Sequence, residues 1–92
     1  MDFRKVGLSG EQIRAARAIL RLDQSALATG AGVSIETIKR LEGMRGPVEA
    51  NTRTVEAIAA AFRRLGVDFD SRERAVGLWL HNAAADAHDR PA

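Results

Sequence analysis

Three charged side chains with complementary hydrogen-bonding chemistry stand close together near the middle of the chain. Glu36 accepts hydrogen bonds, whereas Lys39 and Arg40 only donate them. Ile38 lies among these residues and Leu41 follows them, and their three-residue spacing is typical of a helix with one buried side. The segment is therefore predicted to pack through its apolar residues and to offer its charged groups to a partner outside the protein.

Catalytic and metal-binding patterns are missing from the sequence. The chain has no cysteine, and its 2 histidines, His81 and His88, lack a carboxylate or cysteine arrangement at ligand spacing. We therefore predict that the protein is not an enzyme, holds no metal and needs no cofactor. The absence of cysteine also excludes disulfides and fits a reducing cytoplasm.

The length of 92 residues suits one domain, because two cores would each be marginal. Ala and Arg at helix-like spacing favour a mostly α fold. No apolar run approaches the roughly 20 residues that span a bilayer, and residues 1–10 lack the apolar core of a secretory signal. We expect a soluble, cytoplasmic protein with no membrane partner.

Charge is distributed unevenly along the chain. Residues 1–64 contain 11 Lys and Arg against 7 Asp and Glu, which gives +4, whereas residues 65–92 contain 3 against 5, which gives −2. The basic excess thus accompanies the charged group described above. It favours a polyanionic partner for the first two-thirds, although an ordinary solvated surface has a similar charge.

Helix starts follow one pattern, in which an apolar residue precedes a capping side chain. Ser9 has Gln12 at capping-box spacing, and Asp23 and Ser34 repeat the apolar-then-cap order. These signals predict helices over about 10–21, 24–31 and 35–42, and a fourth that is capped by Asn51 or Thr52 and closed by Gly66. Only residues 32–34 separate the second helix from the third, so the two must cross steeply as a helix-turn-helix.

The stretch QSALATGAGVSIETIKRLEG resembles the helix-turn-helix of the XRE family, which includes the lambda-type phage repressors and Cro proteins. The matching positions are Gln24, Leu27, Ala28, Gly32, Val33, Ser34, Ile38, Leu41 and Glu42. The resemblance implies a bundle of four or five helices over residues 9–66, with the third as the DNA recognition helix and residues 1–8 as an arm. Gly30 and a long loop after Gly43 depart from the family pattern.

An ion pair is predicted between Arg17 and Glu42. Arg17 falls on the apolar side of the first helix, where a lone guanidinium would be costly to bury. The family pairs an Arg in the first helix with the Glu that ends the third, and Arg17 and Glu42 occupy those positions. The alternative is that Arg17 extends to solvent.

A major groove admits a helix, so the outward side of the third helix is a candidate base reader. Arg40 suits guanine and Glu36 suits the cytosine amino group, unless Glu36 instead holds Arg40 in place. Ile35 and Thr37 suit a thymine methyl, and Lys39 suits either a base or a phosphate. The candidate phosphate ligands are Gln24, Ser25, Ser34, Arg45 and Arg53, of which Gln24 and Arg53 are implied by family position.

The last third of the chain has a different pattern of apolar residues. Alternating apolar residues predict a β-strand or hairpin over residues 67–81, followed by a flexible tail over 82–92. The residues predicted to join two copies of the chain are Val67, Phe69, Val76, Leu78, Trp79 and Leu80. The alternative is that Trp79 folds back into the core of its own protomer.

Together these features predict a sequence-specific DNA-binding regulator, a repressor or autoregulator that acts as a homodimer on palindromic operator DNA. The alternative function is that of an antitoxin or anti-activator that uses the same fold mainly to bind a toxin or another regulatory protein. Retention of Lys39 and Arg40 on the outward side favours the DNA-binding interpretation.

Overall fold

The computed structural model describes residues 7–72 and 75–81, without the side chains of residues 71, 72, 75 and 76. Its elements are α1 (Gly10–Leu20), α2 (Gln24–Ala31), α3 (Ile35–Glu42), α4 (Thr52–Arg64), β1 (Val67–Arg72) and β2 (Ala75–Leu80). The protein is thus mostly helical with a small antiparallel sheet. The predicted tail and most of the predicted arm lie outside the described residues. Within the described ranges, no helix is long and apolar enough to cross a membrane.

The predicted capping box at the start of α1 is confirmed. The Gln12 N–H donates to Ser9 Oγ at 3.0 Å, and the Ser9 N–H donates to Gln12 Oε1 at 2.9 Å. The predicted end of the helix at Arg21 is one residue too late. Arg21 adopts φ 56°, and its N–H and that of Leu22 bond back to the carbonyls of Ala18 and Arg17.

The tight connection between α2 and α3 follows from glycine and serine. Gly32 has φ 71°, which a residue without Cβ adopts at no steric cost. The Val33 N–H then bonds to the Ala28 carbonyl at 3.0 Å, and the Ser34 hydroxyl accepts the Thr37 N–H at 3.1 Å. The α3 helix begins and ends where the sequence predicts.

The long loop between α3 and α4 is attached to the start of α1. The Val48 N–H donates to the Leu8 carbonyl at 2.8 Å, and the Gly10 N–H donates to the Gly46 carbonyl at 3.2 Å. A Cβ at Gly10 would lie 2.1 Å from the Met44 carbonyl oxygen, so this approach requires glycine. Leu8 is 1% exposed and belongs to the core, so the predicted arm ends before it.

One hydrophobic core joins the helices to the sheet. Its fully buried large side chains are Leu8, Ile13, Leu27, Ile38, Leu41, Ile58, Phe62 and Val67. In the hairpin, Val67 pairs with Leu80, Asp68 with Trp79 and Phe69 with Leu78. The Phe69 ring meets the Phe62 ring edge to face, with centroids 5.4 Å apart, which fixes β1 against α4.

The hairpin confirms the predicted strands but corrects part of the predicted dimer surface. Val67 has no exposed surface and is a core residue of its own protomer, because its side of β1 faces α4. Phe69 and Leu78 are half-buried against the same core. Trp79 is 63% exposed and Leu80 44% exposed, so Trp79 does not fold back into the core. The Val76 side chain lies outside the description.

Candidate nucleic-acid interface

The inward side of α3 is anchored by three buried residues. Ile38 and Leu41 are 0% exposed, and Glu42, which ends the helix, is 5% exposed. This burial agrees with the apolar spacing of the sequence. A buried carboxylate requires compensating donors, and these come from α1 and α2.

The predicted ion pair between Arg17 and Glu42 is confirmed as a bidentate contact. Arg17 Nε donates to Glu42 Oε2 at 2.6 Å, and Arg17 Nη2 donates to Glu42 Oε1 at 2.9 Å. The third nitrogen, Arg17 Nη1, donates to the Leu22 carbonyl at 2.9 Å. Arg17 therefore joins the end of α3 to the α1–α2 turn, with a geometry that only a guanidinium provides.

Two further donors complete the surroundings of Glu42. Gln24 Nε2 donates to Glu42 Oε1 at 3.0 Å, and Arg14 Nη1 donates to the Glu42 carbonyl. Gln24 was predicted as a phosphate ligand, but its side-chain amide is engaged inside the protein because Glu42 needs that donor. Any phosphate contact at Gln24 is then left mainly to its backbone N–H.

Electrostatics keep Glu42 ionised. Burial acts to raise the pKa of Glu42, but the hydrogen bonds from Arg17 and Gln24 and the nearby positive charges outweigh it, so this pKa lies below its ordinary value. The hydrogen bond with Glu42 likewise raises the pKa of Arg17, against the opposing effect of burial. The network is therefore an ion pair across the physiological pH range.

The outward side of α3 exposes the charged residues singled out in the sequence. Glu36, Lys39 and Arg40 are all exposed. Glu36 and Arg40 do not form an ion pair; Arg40 Nη1 instead donates to the Glu49 carbonyl at 3.3 Å. That single long hydrogen bond leaves most donors of Arg40 free to bind a ligand.

The flanks of α3 are only partly accessible. Ile35 is half-buried against the core, so much of this predicted base reader serves packing instead. Thr37 is also half-buried, and its hydroxyl shares a 3.0 Å hydrogen bond with the Ser34 hydroxyl. Ser34 is therefore the N-cap of α3, and it remains a predicted phosphate ligand at an exposed position.

The other predicted phosphate ligands lie on exposed backbone or side-chain positions. Ser25 in the first turn of α2, Arg45 in the loop and Arg53 in the first turn of α4 are exposed. The N–H groups of Gln24 and Ser25 have no partner in the described part of the chain, because Asp23 caps only Ala26. They are two of the orphan donors that helix starts present to anions.

Sequence reasoning missed the wider role of Gln12. Its side chain is buried, and Nε2 donates to the carbonyls of Gly77 at 2.7 Å and Asp70 at 3.2 Å. Gln12 thus joins the capping box of α1 to both strands of the hairpin. The signal was the burial of a polar residue between apolar positions, but its partners lie too far away in sequence to be found locally.

The exposed side of α3 and the helix starts around it thus form a candidate DNA-binding surface on a helical scaffold. No protein-family model matches the chain, and no curated protein sequence matches it.

Proposed function

We propose that the protein is a sequence-specific DNA-binding regulator that places α3 in the major groove. One observation carries the proposal: α3 is held by Ile38, Leu41 and the Glu42 network on one side, and exposes Glu36, Lys39 and Arg40 on the other. A rigidly held helix with free charged groups is what direct base readout requires. The resemblance of residues 24–43 to the XRE helix-turn-helix supports the same function.

The proposed division of labour follows from accessibility. Arg40, with most of its donors free, reads a guanine, while Glu36 accepts from a cytosine amino group. Lys39 and Arg53 bind phosphates, together with the free N–H groups at the start of α2. Ile35 and Thr37 contribute little more than a methyl contact, because both are half-buried.

The protein is proposed to act as a homodimer on palindromic DNA, as a repressor or autoregulator in the cytoplasm. One recognition helix reads few base pairs, and two such helices about 34 Å apart read successive major grooves. The competing function, an antitoxin or anti-activator that binds mainly a protein, needs no free base-reading donors on α3. The accessibility of Arg40 therefore favours DNA.

A selection from random-sequence duplex DNA with the purified chain tests this function. We expect a two-fold symmetric motif that binds about a thousandfold more tightly than scrambled DNA at physiological salt. An Arg40→Ala variant with unchanged melting temperature is the matched control and should enrich a different or shorter motif. If the native chain enriches no motif, DNA reading is excluded and the protein-binding function takes its place.

A further inference from the structure

We propose that two copies of the chain associate through the open edge of β2, in an antiparallel arrangement that sets Trp79 opposite Trp79 of the partner subunit. This inference deepens the proposed function, since it specifies the dimer on which that function rests. It is carried by the hydrogen-bonding pattern of the hairpin, by the exposure of Trp79 and Leu80 on β2, and by the residues of each cross-strand row.

The hairpin leaves β2 with free backbone groups. The His81 N–H donates to the Gly66 carbonyl, and hydrogen-bonded and non-hydrogen-bonded pairs alternate along an antiparallel ladder. Trp79 therefore bonds to β1, whereas the N–H and C=O groups of Leu78 and Leu80 point away from it. These groups have no partner in the described part of the chain, and such an edge readily pairs with another strand.

The strand at this edge carries two exposed apolar side chains. Trp79 is 63% exposed and Leu80 is 44% exposed, and Trp79 is the most exposed large hydrophobic residue in the described part of the chain. Below them, α1 packs against β2, with Gln12 in contact with the hairpin and Ile13 in the core.

One register satisfies the free groups of this edge and keeps like charges apart. Pairing Leu78 with Leu80 of the partner subunit supplies the missing hydrogen bonds and places Trp79 in the non-hydrogen-bonded position, where opposite side chains approach most closely. The row then runs from Asp68 through the two tryptophans to Asp68 of the partner subunit. Both carboxylates stay at the outside, and each is held by its own His81 at 3.0 Å.

The next row of cross-strand residues, which contains Gly77, is also compatible with this register. Gly77 would face His81 of the partner subunit, and a Cβ added at Gly77 meets nothing within 4 Å, so the imidazole has space. Asp70, which pairs with Gly77 in the hairpin, then lies on the other side of Gly77 from that imidazole. A second copy is thus the occupant whose own residues match this edge.

The resulting symmetry places the helices of both copies on the same side of one sheet. A two-fold axis through the tryptophan pair runs perpendicular to the sheet, so both helical layers lie on the same side of a four-stranded sheet. Gln12 contacts both strands, which places α1 beneath the hairpin. The Gln12 contact with Asp70 and Gly77 lies two residues along the strand from the axis, so the two Gln12 contact points would be about 10 Å apart across the strands and about 13 Å apart along them.

The open edge of β1 is the competing site. It borders a groove between β1 and α4, lined among others by Val55, Ala59 and Phe69. Glu56 is exposed in that groove and reports on any association there. Val67 on this edge is fully buried, and the exposed large aliphatic residue just before β1, Leu65, is 48% exposed against 63% for Trp79. The described side chains of β1 itself therefore offer no exposed anchor comparable with Trp79.

Disulfide trapping in the full chain tests the arrangement, because the native sequence has no cysteine. Trp79→Cys places two thiols in a non-hydrogen-bonded pair across the axis, whereas Glu56→Cys places them beside β1. We expect Trp79→Cys to form a covalent dimer at least about tenfold faster than Glu56→Cys under mild oxidation. Equal rates, or faster trapping of Glu56→Cys, would overturn the proposal.

A measurement on the native chain guards against an effect of the substitution itself. Trp79 is the sole tryptophan, so its quenching by acrylamide can be followed over a dilution series beside sedimentation velocity. We expect quenching to rise several-fold as the dimer dissociates. A dimer whose dissociation leaves quenching unchanged would overturn the interface. If trapping succeeds but random-sequence selection yields no motif, the proposed dimer is supported and the DNA-binding function fails. If selection yields a motif but trapping fails, the DNA-binding function is supported and the proposed interface fails.

Discussion

The helix α3 and the β-hairpin are both attached to α1, but by different chemistry. The end of α3 is held by an ion pair, in which Glu42 is 5% exposed and receives donors from Arg17 and Gln24. The hairpin is held by a neutral amide, since Gln12 donates to the carbonyls of Asp70 and Gly77, and by the contact of Phe62 with Phe69.

This difference shows how each region responds to change. A charged network holds α3 only while both partners are present and Glu42 is ionised, because an uncompensated buried charge is costly. The amide of Gln12 has no protonation equilibrium in the normal pH range, so its hold on the hairpin depends on geometry alone. The orientation of α3 should therefore be more sensitive to acid, whereas the attachment of the hairpin should be more sensitive to substitutions that change the shape of the Gln12 side chain.

The largest effect on stability is expected from Arg17→Ala. The substitution removes two hydrogen bonds and the balancing charge from Glu42, and should lower the free energy of unfolding by about 2–3 kcal/mol. Arg17→Lys keeps the charge but loses the bidentate geometry, so its loss should be smaller. Urea denaturation of the three proteins measures the difference. An unchanged midpoint for Arg17→Ala would show that the network contributes no net stability.

Arg40→Ala should leave stability unchanged and alter DNA binding, which separates the outer side of α3 from its anchored side. We expect a loss of about 1–3 kcal/mol in binding, confined to particular base pairs. Arg53→Ala is the matched comparison and should weaken all sequences alike while reducing the salt slope by about 1. Titrations of cognate and mismatched DNA at several salt concentrations measure both. The same sequence-independent loss in both variants would mean that Arg40 does not read bases.

Gln12→Leu should cost about 1–2 kcal/mol of unfolding free energy, because the Ser9 N–H loses its partner and the hairpin loses a buried donor. Gln12→Glu is the informative control, since its carboxylate still accepts from Ser9 but cannot donate to Asp70 or Gly77. Relative to the native chain, amide hydrogen exchange should accelerate more in the hairpin than in α3 for both variants. Equal acceleration in both regions would show that Gln12 is not a separate attachment of the hairpin.

The smallest effect concerns acid stability. The pKa of Glu42 is lower in the folded than in the unfolded chain, so the unfolded chain binds more protons between the two values and stability rises with pH there. This contribution is complete above the unfolded pKa, about 4.3, and is lost as pH falls through the folded pKa. Denaturation between pH 2 and pH 6 should show a flatter profile for Arg17→Ala than for Gln12→Leu. Identical profiles would remove the electrostatic contrast between the two regions.

Much of the helical scaffold could be predicted from the sequence, because the residue patterns that mark the starts of helices are local. Ser9, Asp23, Ser34 and Asn51 each accept a backbone N–H three residues further on. Such caps depend on residue type and short spacing, and they located the helix starts without knowledge of the fold. The alternation of the last strands was equally local, and the register of the hairpin agrees with it.

Tertiary structure alone decided which residues of those elements are used inside the protomer. Gln12 bonds to carbonyls 58 and 65 positions away, and Glu42 takes the amide of the predicted phosphate ligand Gln24. Val67, predicted at a dimer surface, is a core residue, because the hairpin packs that side of β1 against α4. Residue type and periodicity determined the helices, the strands and the exposed charged side of α3. Which partner satisfies a given buried polar group, and which apolar side stays uncovered, depended on how the elements pack, since those contacts join residues that the chain itself keeps far apart.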